Sequence, residues 1–490
     1  MKVSIITEGF QNTGYGHITR CLSLQQAFES RNIFPTLYIN GDENAKAFLT
    51  TKNLKILNWL SNPTLLVAEI KNSDVIIIDS YLAGKDFYEN LSRHGRISLF
   101  IDDTLRIEYP NGIILNGTIN AETFPYKKKN GTDYLLGSKF IPLRKEFWNV
   151  TSRKYNQILT SVLITFGGQD NKNLTPATLR SLAEAFPDIK KNVVIGSGFK
   201  NQSDIEKLAD ENTRLHFSPD ASGMRELMLS SDVTISAAGQ TLYELAATGS
   251  PTIAIAVADN QRSNVLEWKK KGFIIDPIFS SDVNFLRKTI EQLESLKSIS
   301  LRKKSGNAGR ENVDGQGSLR AVQFVIEKLC STNSFYLRKA VESDSEKVFE
   351  LSNDPTVREQ SINKKMINWD EHQTWFNKKI NEEDYIFLLA FDKKDNFIGQ
   401  VRFHTEHNSA TVSISVLKEF RGKGLSKKIL REACSKTFSD RSHIQEIVAY
   451  ILPHNEASMK AFISIGFSFA CEENIEQENF YKFILKRESK

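Results

Sequence analysis

One histidine stands where chemistry is easiest to place. His17 lies in the stretch Gly14-Tyr15-Gly16-His17-Ile18-Thr19-Arg20, and histidine is the side chain that exchanges protons near neutral pH. Glycines let a backbone approach a ligand closely and take φ > 0 at low cost. The stretch follows an apolar run, Lys2 to Thr7, and opens a helical pattern at Ile18, Cys21, Leu22, Leu24, Ala27 and Phe28. The unpaired N–H groups and positive dipole end of a helix start suit an anion. A phosphate loop and a titratable base on one turn predict chemistry beside a phosphorylated substrate. The plain alternative is a strand-to-helix turn with a structural histidine, and the stretch alone weighs the two evenly.

Further loops repeat the pattern. The apolar run Leu159 to Phe166 ends in Gly167-Gly168-Gln169-Asp170, with Asn173 or Thr175 near the cap of a following helix. The run Val233 to Ser236 leads into Ala237-Ala238-Gly239-Gln240-Thr241-Leu242-Tyr243-Glu244, a helix stopped at Gly249-Ser250-Pro251. The strand Thr252 to Ala256 is followed by Ala258-Asp259-Asn260-Gln261. Much later, Arg421-Gly422-Lys423-Gly424-Leu425-Ser426 opens a helix, and successive N–H groups there would cradle a pyrophosphate.

The elements that must position these groups are also legible. Asp74 to Asp79, Ser98 to Asp103 and Gly112 to Asn116 read as strands buried on both faces, which implies a doubly wound parallel sheet. Ligands sit beyond the C-terminal ends of such strands, where Tyr81, Asp103 and Asn116 fall. Each has a local alternative, as a packing residue, a helix cap or a turn residue. The segment Lys303 to Arg310 is polar and glycine-bearing, a helix follows to about Cys330, and Ser331-Thr332-Asn333-Ser334 reads as a short linker. Beyond it the texture changes. A strand at Phe335 to Ala340 and helices near 344–353 and 369–379 precede serial strands at Tyr385 to Phe391, Phe397 to Thr405 and Ala410 to Leu417, which look antiparallel.

Composition narrows the class. At 490 residues the chain is too long for one core. Its 40% hydrophobic and 25% charged residues are those of an ordinary globular protein. A net charge of +5 is too weak to imply nucleic acid. No apolar run approaches a membrane span. The four cysteines, Cys21, Cys330, Cys434 and Cys471, have neither metal-type nor disulfide-framework spacing. The first residues enter a strand without a leader, so a cytoplasmic enzyme without a metal is expected.

The second loop set resembles the GT-B architecture, and Ala237 to Asn264 is similar to the peptidoglycan N-acetylglucosaminyltransferase that uses UDP-GlcNAc. That resemblance implies that Glu244 holds the ribose hydroxyls of UDP and that Gly239, Gln240 and Thr241 lie at the diphosphate. Taken in order, Gly14-x-Gly16-His17-x-x-Arg20, Asp79-Ser80-Tyr81, Ile101-Asp102-Asp103, Leu143-Arg144-Lys145-Glu146-Phe147, Gly167-Gly168-x-Asp170-x-x-Asn173-x-Thr175 and Asp259-Asn260-Gln261 resemble the UDP-sugar hydrolase of pseudaminic acid biosynthesis. The likeness implies hydrolysis of UDP-2,4-diacetamido-2,4,6-trideoxy-β-L-altropyranose with inversion at the anomeric carbon. His17 would be the base, with Tyr81 and Asn260 orienting water and sugar. Gly14, Gly16, Arg20, Asp103, Gly167, Gly168 and Gln261 would bind substrate. Ala238 and Gln240 depart from the family's usual Gly and Ser, and Ala238 is expected to tighten the approach to phosphate.

The third part resembles GNAT acetyltransferases. Arg421 to Ser426, Asn455-Glu456-Ala457-Ser458 through Phe462, and Ile465-Gly466-Phe467 carry the likeness, with Leu337-Arg338, Asp344, Asn353-Asp354 and His372-x-x-Trp375-Phe376 in support. It implies acetyl-CoA bound by Arg421, Gly422, Lys423, Gly424, Leu425, Ser426 and Asn455, in a fold whose sheet splays to admit the thioester. Phe462 replaces the usual Tyr acid, leaving Tyr450 and Tyr481 as candidates. Ser413 and Ser415 face either substrate or solvent, and His404, His407 and His454 read as solvent-facing.

The expected fold is therefore α/β: a GT-B-like pair of doubly wound Rossmann-type domains, 1–152 and 153–330, followed by an α+β GNAT domain at 335–490. The expected function is a bifunctional enzyme whose GNAT domain acetylates the 4-amino group of a UDP-sugar and whose GT-B part then removes UDP. A glycosyltransferase with an appended acetyltransferase, the same activities on another diamino sugar, and a non-catalytic sugar-nucleotide binder are the alternatives.

Overall fold

The computed structural model describes residues 1–10, 14–42, 45 and 53–487, without the side chains of 332 and 333. The chain divides into two compact units: residues 3–30 with 34–325, and residues from 326 onward with 1–2 and 31–33.

The first unit holds two parallel sheets. One is built from β1 (Val3–Gly9), α1 (Gly16–Glu29), β2 (Thr36–Gly41), β3 (Leu54–Ile56), α2 (Pro63–Ile70), β4 (Ser73–Asp79), α3 (Lys85–Ser92), β5 (Gly95–Ile101), β6 (Ile113–Asn116) and β7 (Asp133–Leu136). Its strand order is β3-β2-β1-β4-β5-β6-β7, all parallel. Val75 to Ile78 are wholly buried, as a strand covered on both faces must be. Strand order reverses between β1 and β4, and the register sets Thr7 opposite Asp79. The crevice at that reversal is where an open parallel sheet takes a ligand. β5 ends at Ile101, so Asp102 and Asp103 stand in the loop after the strand and not on it.

The other sheet uses β8 (Ser161–Thr165), α4 (Leu174–Ala185), β9 (Lys190–Ile195), α5 (Gln202–Leu208), β10 (Thr213–Phe217), α6 (Ala221–Ser230), β11 (Val233–Ala237), α7 (Thr241–Thr248), β12 (Thr252–Ala256), α8 (Arg262–Lys270) and β13 (Ile278–Phe279). The order β10-β9-β8-β11-β12-β13 is again parallel, with its reversal between β8 and β11. The loops at Gly167-Gly168 and at Ala238 to Gln240 flank that reversal. Helix α7 ends at Gly249, whose φ of 65° is left-handed, the expected helix stop.

Helices α9 (Phe285–Ser295), α10 (Ile299–Asn312) and α11 (Gly317–Asn333) follow. Two expectations are corrected here. The glycine-bearing segment 303–310 is the middle of α10. Its glycines serve packing: a methyl on Gly306 would overlap the Tyr155 hydroxyl and the Gly249 carbonyl, and one on Gly309 would come within 2.7 Å of Phe273. Ser331 to Asn333, read as linker, is the last turn of α11.

The second unit is α+β. It runs β14 (Tyr336–Lys339), α12 (Ser345–Ser352), α13 (Pro355–Glu359), α14 (Trp369–Asn381), β15 (Tyr385–Phe391), β16 (Phe397–Glu406), β17 (Ser409–Val416), α15 (Leu425–Asp440), β18 (Glu446–Ile451), α16 (Glu456–Ile463), β19 (Ser468–Ile475) and β20 (Glu478–Lys486). The sheet order is β14-β15-β16-β17-β18-β20-β19. β14 to β17 pair antiparallel, as expected from serial strands. β17 and β18 are parallel and pair only from Ser409–Glu446 to Thr411–Val448, after which they part. Val401, Phe403, Ile429, Leu430, Phe462 and Phe467 form part of one buried core beneath this sheet.

Candidate functional site

The switch point of the first sheet gathers a charged group. Asp79 ends β4, and His17 and Arg20 project from the first turns of α1, one helical turn apart. His17 Nδ1 lies 2.7 Å from Asp79 Oδ1. Arg20 holds Asp79 from two nitrogens, through Nε to Oδ2 and through a terminal nitrogen to Oδ1 at 2.7 Å. Its other terminal nitrogen donates to Asp103 Oδ2 at 2.7 Å. The Tyr81 hydroxyl donates to Asp103 Oδ1 at 2.5 Å, and its ring meets the His17 ring edge-on, centroids 4.3 Å apart. Behind Tyr81, the buried carboxylate of Glu8 accepts from the Ser80 hydroxyl and from the N–H groups of Tyr81 and Leu82, fixing the loop.

Electrostatics assign the protons. Burial alone would push Asp79 up, but Arg20 and His17 outweigh it and hold its carboxyl down at about 2. Burial would likewise raise Asp103, and Arg20 and Tyr81 hold it below the usual carboxylate range. Burial and Asp103 push the Tyr81 phenol well up. An ionised Asp79 is acceptor-only, so His17 Nδ1 carries the proton between them. The Nε2 of a neutral His17 is then a lone-pair acceptor, the tautomer a base requires. Arg20 approaches Nδ1 at 2.9 Å because both donate to the same Asp79 oxygen.

The arrangement redistributes several expected roles. Arg20, Asp103 and Tyr81 join His17 in one hydrogen-bonded group around Asp79, which the sequence reading quoted only as part of the Asp79-Ser80-Tyr81 motif, and Glu8, which it did not single out, braces the Tyr81 loop. Asp79 was visible as the charged end of an apolar strand. Only the β1–β4 register puts it against a histidine 62 residues away. Asn116 spends its side chain on Tyr126 and on Thr118, as a turn residue does. Asn260 is exposed after β12 and is no member of the His17 group.

At the second reversal, Gly167 has a φ of 84°, and a methyl on Gly167 or Gly168 would meet nothing within 4 Å, so this loop is open to a ligand. The start of α4 is less open than expected. Asp170, and neither Asn173 nor Thr175, takes the N–H groups of Leu174 and Thr175, at 2.8 and 2.7 Å. A diphosphate on that loop would meet the glycines and not these capped amides. Glu244 is buried on α7 and accepts twice from Arg144 on Oε1 alone, at 3.0 and 2.7 Å. Burial pushes its carboxyl up, against the pull of Arg144. Gln240 gives its amide to the Pro142 carbonyl at 3.0 Å, so its side chain braces the 142–147 segment. Gln261 accepts from Val257 N–H, and Gly239 and Thr241 are half-buried at the helix start. Ala238 is wholly buried among core side chains, so its methyl narrows no phosphate loop.

The second unit presents the pyrophosphate-type cradle. Gly422 and Gly424 take φ of 74° and 71°, and methyl groups there would point into open space. Gly424 starts α15 without a capping side chain, leaving the first-turn amides beside the exposed Lys423 and half-buried Leu425 and Ser426. Arg421 anchors the loop, donating to the Val416 carbonyl at 2.7 Å and to Asp354 at 3.0 Å. Asn455 caps α16 through Ser458 N–H at 3.0 Å. Phe462 is buried against Phe467. Tyr450 donates to Glu473 at 3.4 Å, and Tyr481 packs half-buried on the core. Ser413 accepts from Arg402 at 3.1 Å. Among the described residues no group of three or more His, Cys, Asp or Glu could hold a metal, and no helix is long and apolar enough to cross a membrane.

Several known proteins are similar to this chain. Residues 334–468 match the family described as Acetyltransferase (GNAT) domain. An uncharacterized protein of Methanocaldococcus jannaschii is 26% identical over 502 aligned positions, covering 95% of this chain and 96% of its own. The Helicobacter pylori pseudaminic acid cytidylyltransferase and UDP-2,4-diacetamido-2,4,6-trideoxy-beta-L-altropyranose hydrolase is 30% identical, over 56% of this chain and 47% of its own. The Bacillus subtilis spore coat polysaccharide biosynthesis protein SpsG is 24% identical, over 65% of this chain and 96% of its own. Among solved structures, a Vibrio cholerae spermidine N-acetyltransferase in complex with CoA and spermine aligns at 18% identity, over 31% of this chain and 95% of its own, with a TM-score of 0.30. The chain is thus a homologue of sugar-biosynthesis proteins that carries a C-terminal GNAT domain.

Proposed function

We propose that this chain is a bifunctional sugar-nucleotide enzyme: residues 335–490 acetylate the 4-amino group of UDP-4-amino-4,6-dideoxy-N-acetyl-β-L-altrosamine, and residues 1–152 with 153–330 hydrolyse the product. The observation that carries the reading is the Asp79–His17 pair at the β1–β4 reversal, a buried base of fixed tautomer where a parallel sheet takes its ligand. The naming of the Helicobacter pylori relative as a hydrolase supports the substrate.

In the hydrolytic step His17 Nε2 takes a proton from water, and the water oxygen bonds to the anomeric carbon as the bond from that carbon to UDP breaks. UDP leaves with the electron pair, from the face opposite the water, so the configuration inverts. A positioned base contributes on the order of 10²- to 10⁴-fold. The open glycine loops receive the diphosphate, and the part of Glu244 not engaged by Arg144 accepts from ribose hydroxyls. Tyr81, edge-on to the His17 ring, orients water and sugar.

For the second activity the cradle fits its co-substrate: left-handed glycines that side chains would fill, uncapped amides at the start of α15, and the parting of β17 from β18. Bound acetyl-CoA supplies the acetyl group. Gly422 to Ser426 hold its pyrophosphate, Arg421 fixes that loop, and strand N–H groups at the parting are placed to polarise a carbonyl.

Mass spectrometry of a reaction with acetyl-CoA and the amino-sugar nucleotide in ¹⁸O-water tests the whole. The expected products are UDP without label and singly labelled 2,4-diacetamido sugar. Undiminished UDP release by His17→Ala overturns the hydrolytic mechanism. A glycoside formed with an added acceptor, in place of free sugar, favours the glycosyltransferase.

A further inference from the structure

The group around His17 contains one carboxylate more than a base needs. Asp79 alone would orient the imidazole, yet Asp79 is also gripped twice by Arg20, and a guanidinium that neutralised it fully would blunt its hold on the histidine. Asp103 enters from the β5 loop, takes the remaining terminal nitrogen of Arg20 and receives the Tyr81 hydroxyl. Every polar group facing the imidazole then has a defined charge. Asp79 and Asp103 are held ionised and Arg20 is held protonated. Tyr81 and the Cys21 thiol, 3.8 Å from Asp79, are pushed up and stay neutral. Glu8 faces away, onto the amides of the Tyr81 loop.

We propose that Asp103 is a positioning residue and not a sugar ligand: it takes up the charge of Arg20, so that Asp79 remains the acceptor for His17 and the Asp79–Arg20–Asp103 trio keeps one net negative charge for the imidazolium to neutralise. The proton His17 accepts from water is stabilised by that deficit, two residues away from the atom that receives it. Both oxygens of Asp103 are engaged within the protein, which suits this role better than recognition of a sugar hydroxyl. The inference rests on the hydrolytic reading for its kinetic consequence, but its structural half is measurable without substrate.

Two measurements test it. In the full chain labelled with ¹⁵N-histidine, with His17 assigned by His17→Gln, the neutral His17 ring is expected to carry its proton on Nδ1. A proton on Nε2 would overturn the proposal, and this measurement needs no variant of the network. In Asp103→Asn, kcat for UDP release is expected to fall about tenfold or more. KM should hold within about twofold, and the acid limb of kcat/KM should move to lower pH, because the imidazolium loses its second counter-charge. Asp103→Glu should restore the wild-type limb. A raised KM with kcat and acid limb unmoved would make Asp103 a substrate ligand and overturn the positioning role. Wild-type chain that shows the Nδ1 proton but releases no UDP would sink the hydrolytic reading while upholding the assignment of the network.

Discussion

At the scale of single residues, the chemistry rests on a carboxylate that is costly to bury. Asp79 is tolerable in the interior because three nitrogen donors converge on it, and removing one member of such a group costs more than the group adds to stability. Asp79→Asn keeps the shape but offers an amide that can donate to Nδ1, which turns the His17 proton to Nε2. UDP release is expected to fall by about 10² to 10⁴, while nucleotide affinity, measured calorimetrically with UDP, stays near wild type. The same residue gives a pH signature. Its folded-state value of about 2 lies below the ordinary 3.8, so its contribution is fully present above that ordinary value and is lost as pH falls through the folded one. The contribution is about 2 kcal/mol. Urea unfolding of wild type and Asp79→Asn should therefore converge as pH drops from about 4 toward 2. A gap that stayed constant across that window would mean that Asp79 is not held ionised by its neighbours.

At the scale of elements, glycine does two unrelated jobs in this chain, and sequence alone does not separate them. Gly306 and Gly309 look like loop punctuation but lie inside α10, where they let that helix lie against α7, Tyr155 and Phe273. Gly306→Ala should lower stability by about 1–3 kcal/mol, read as a lower Tm, against the usual gain from replacing a helical glycine by alanine. Gly424 is the opposite case, with empty space around it and a left-handed backbone that a branched side chain resists. Gly424→Val should leave Tm within a few degrees and weaken CoA binding at least about tenfold, as the cradle amides turn away. The contrast explains what was legible. Strands such as Val75 to Ile78 and the glycine loops that follow them are written in local composition, so parallel sheets and their ligand-facing ends could be read directly. Partnerships between residues far apart in the chain could not: Asp79 with His17, set by the β1–β4 register, and Arg144 with Glu244. Of the last strands only one, near Ile465 to Phe467, was expected; β18 is buried nearly throughout, β20 is half-buried and much of β19 is exposed, so none carries a clean alternation.

At the scale of the whole molecule, the question is whether the two units act as one machine or as two enzymes on one chain. The proposed chemistry requires an order: the acetylated sugar nucleotide would be the product of one unit and the substrate of the other. It does not require direct transfer, because a tethered second site raises the local concentration of a product by connection alone. Among the described residues, the charged group around His17 belongs to the first unit and the cradle with its Arg421–Asp354 anchor to the second. A chain carrying His17→Ala should still acetylate, and one carrying Gly424→Val should still hydrolyse a pre-acetylated sugar nucleotide. Mixed in equal amounts, the two variants should convert the amino-sugar nucleotide to free diacetamido sugar, with a lag before sugar appears that shortens as enzyme concentration rises. Wild type at the same active-site concentration should show a shorter lag if tethering helps and an equal one if it does not, and either result keeps the two-enzyme reading. Failure of the mixture, with each variant retaining its own half-reaction, would mean that the intermediate never leaves the chain and that the units must be treated as a single channelled catalyst.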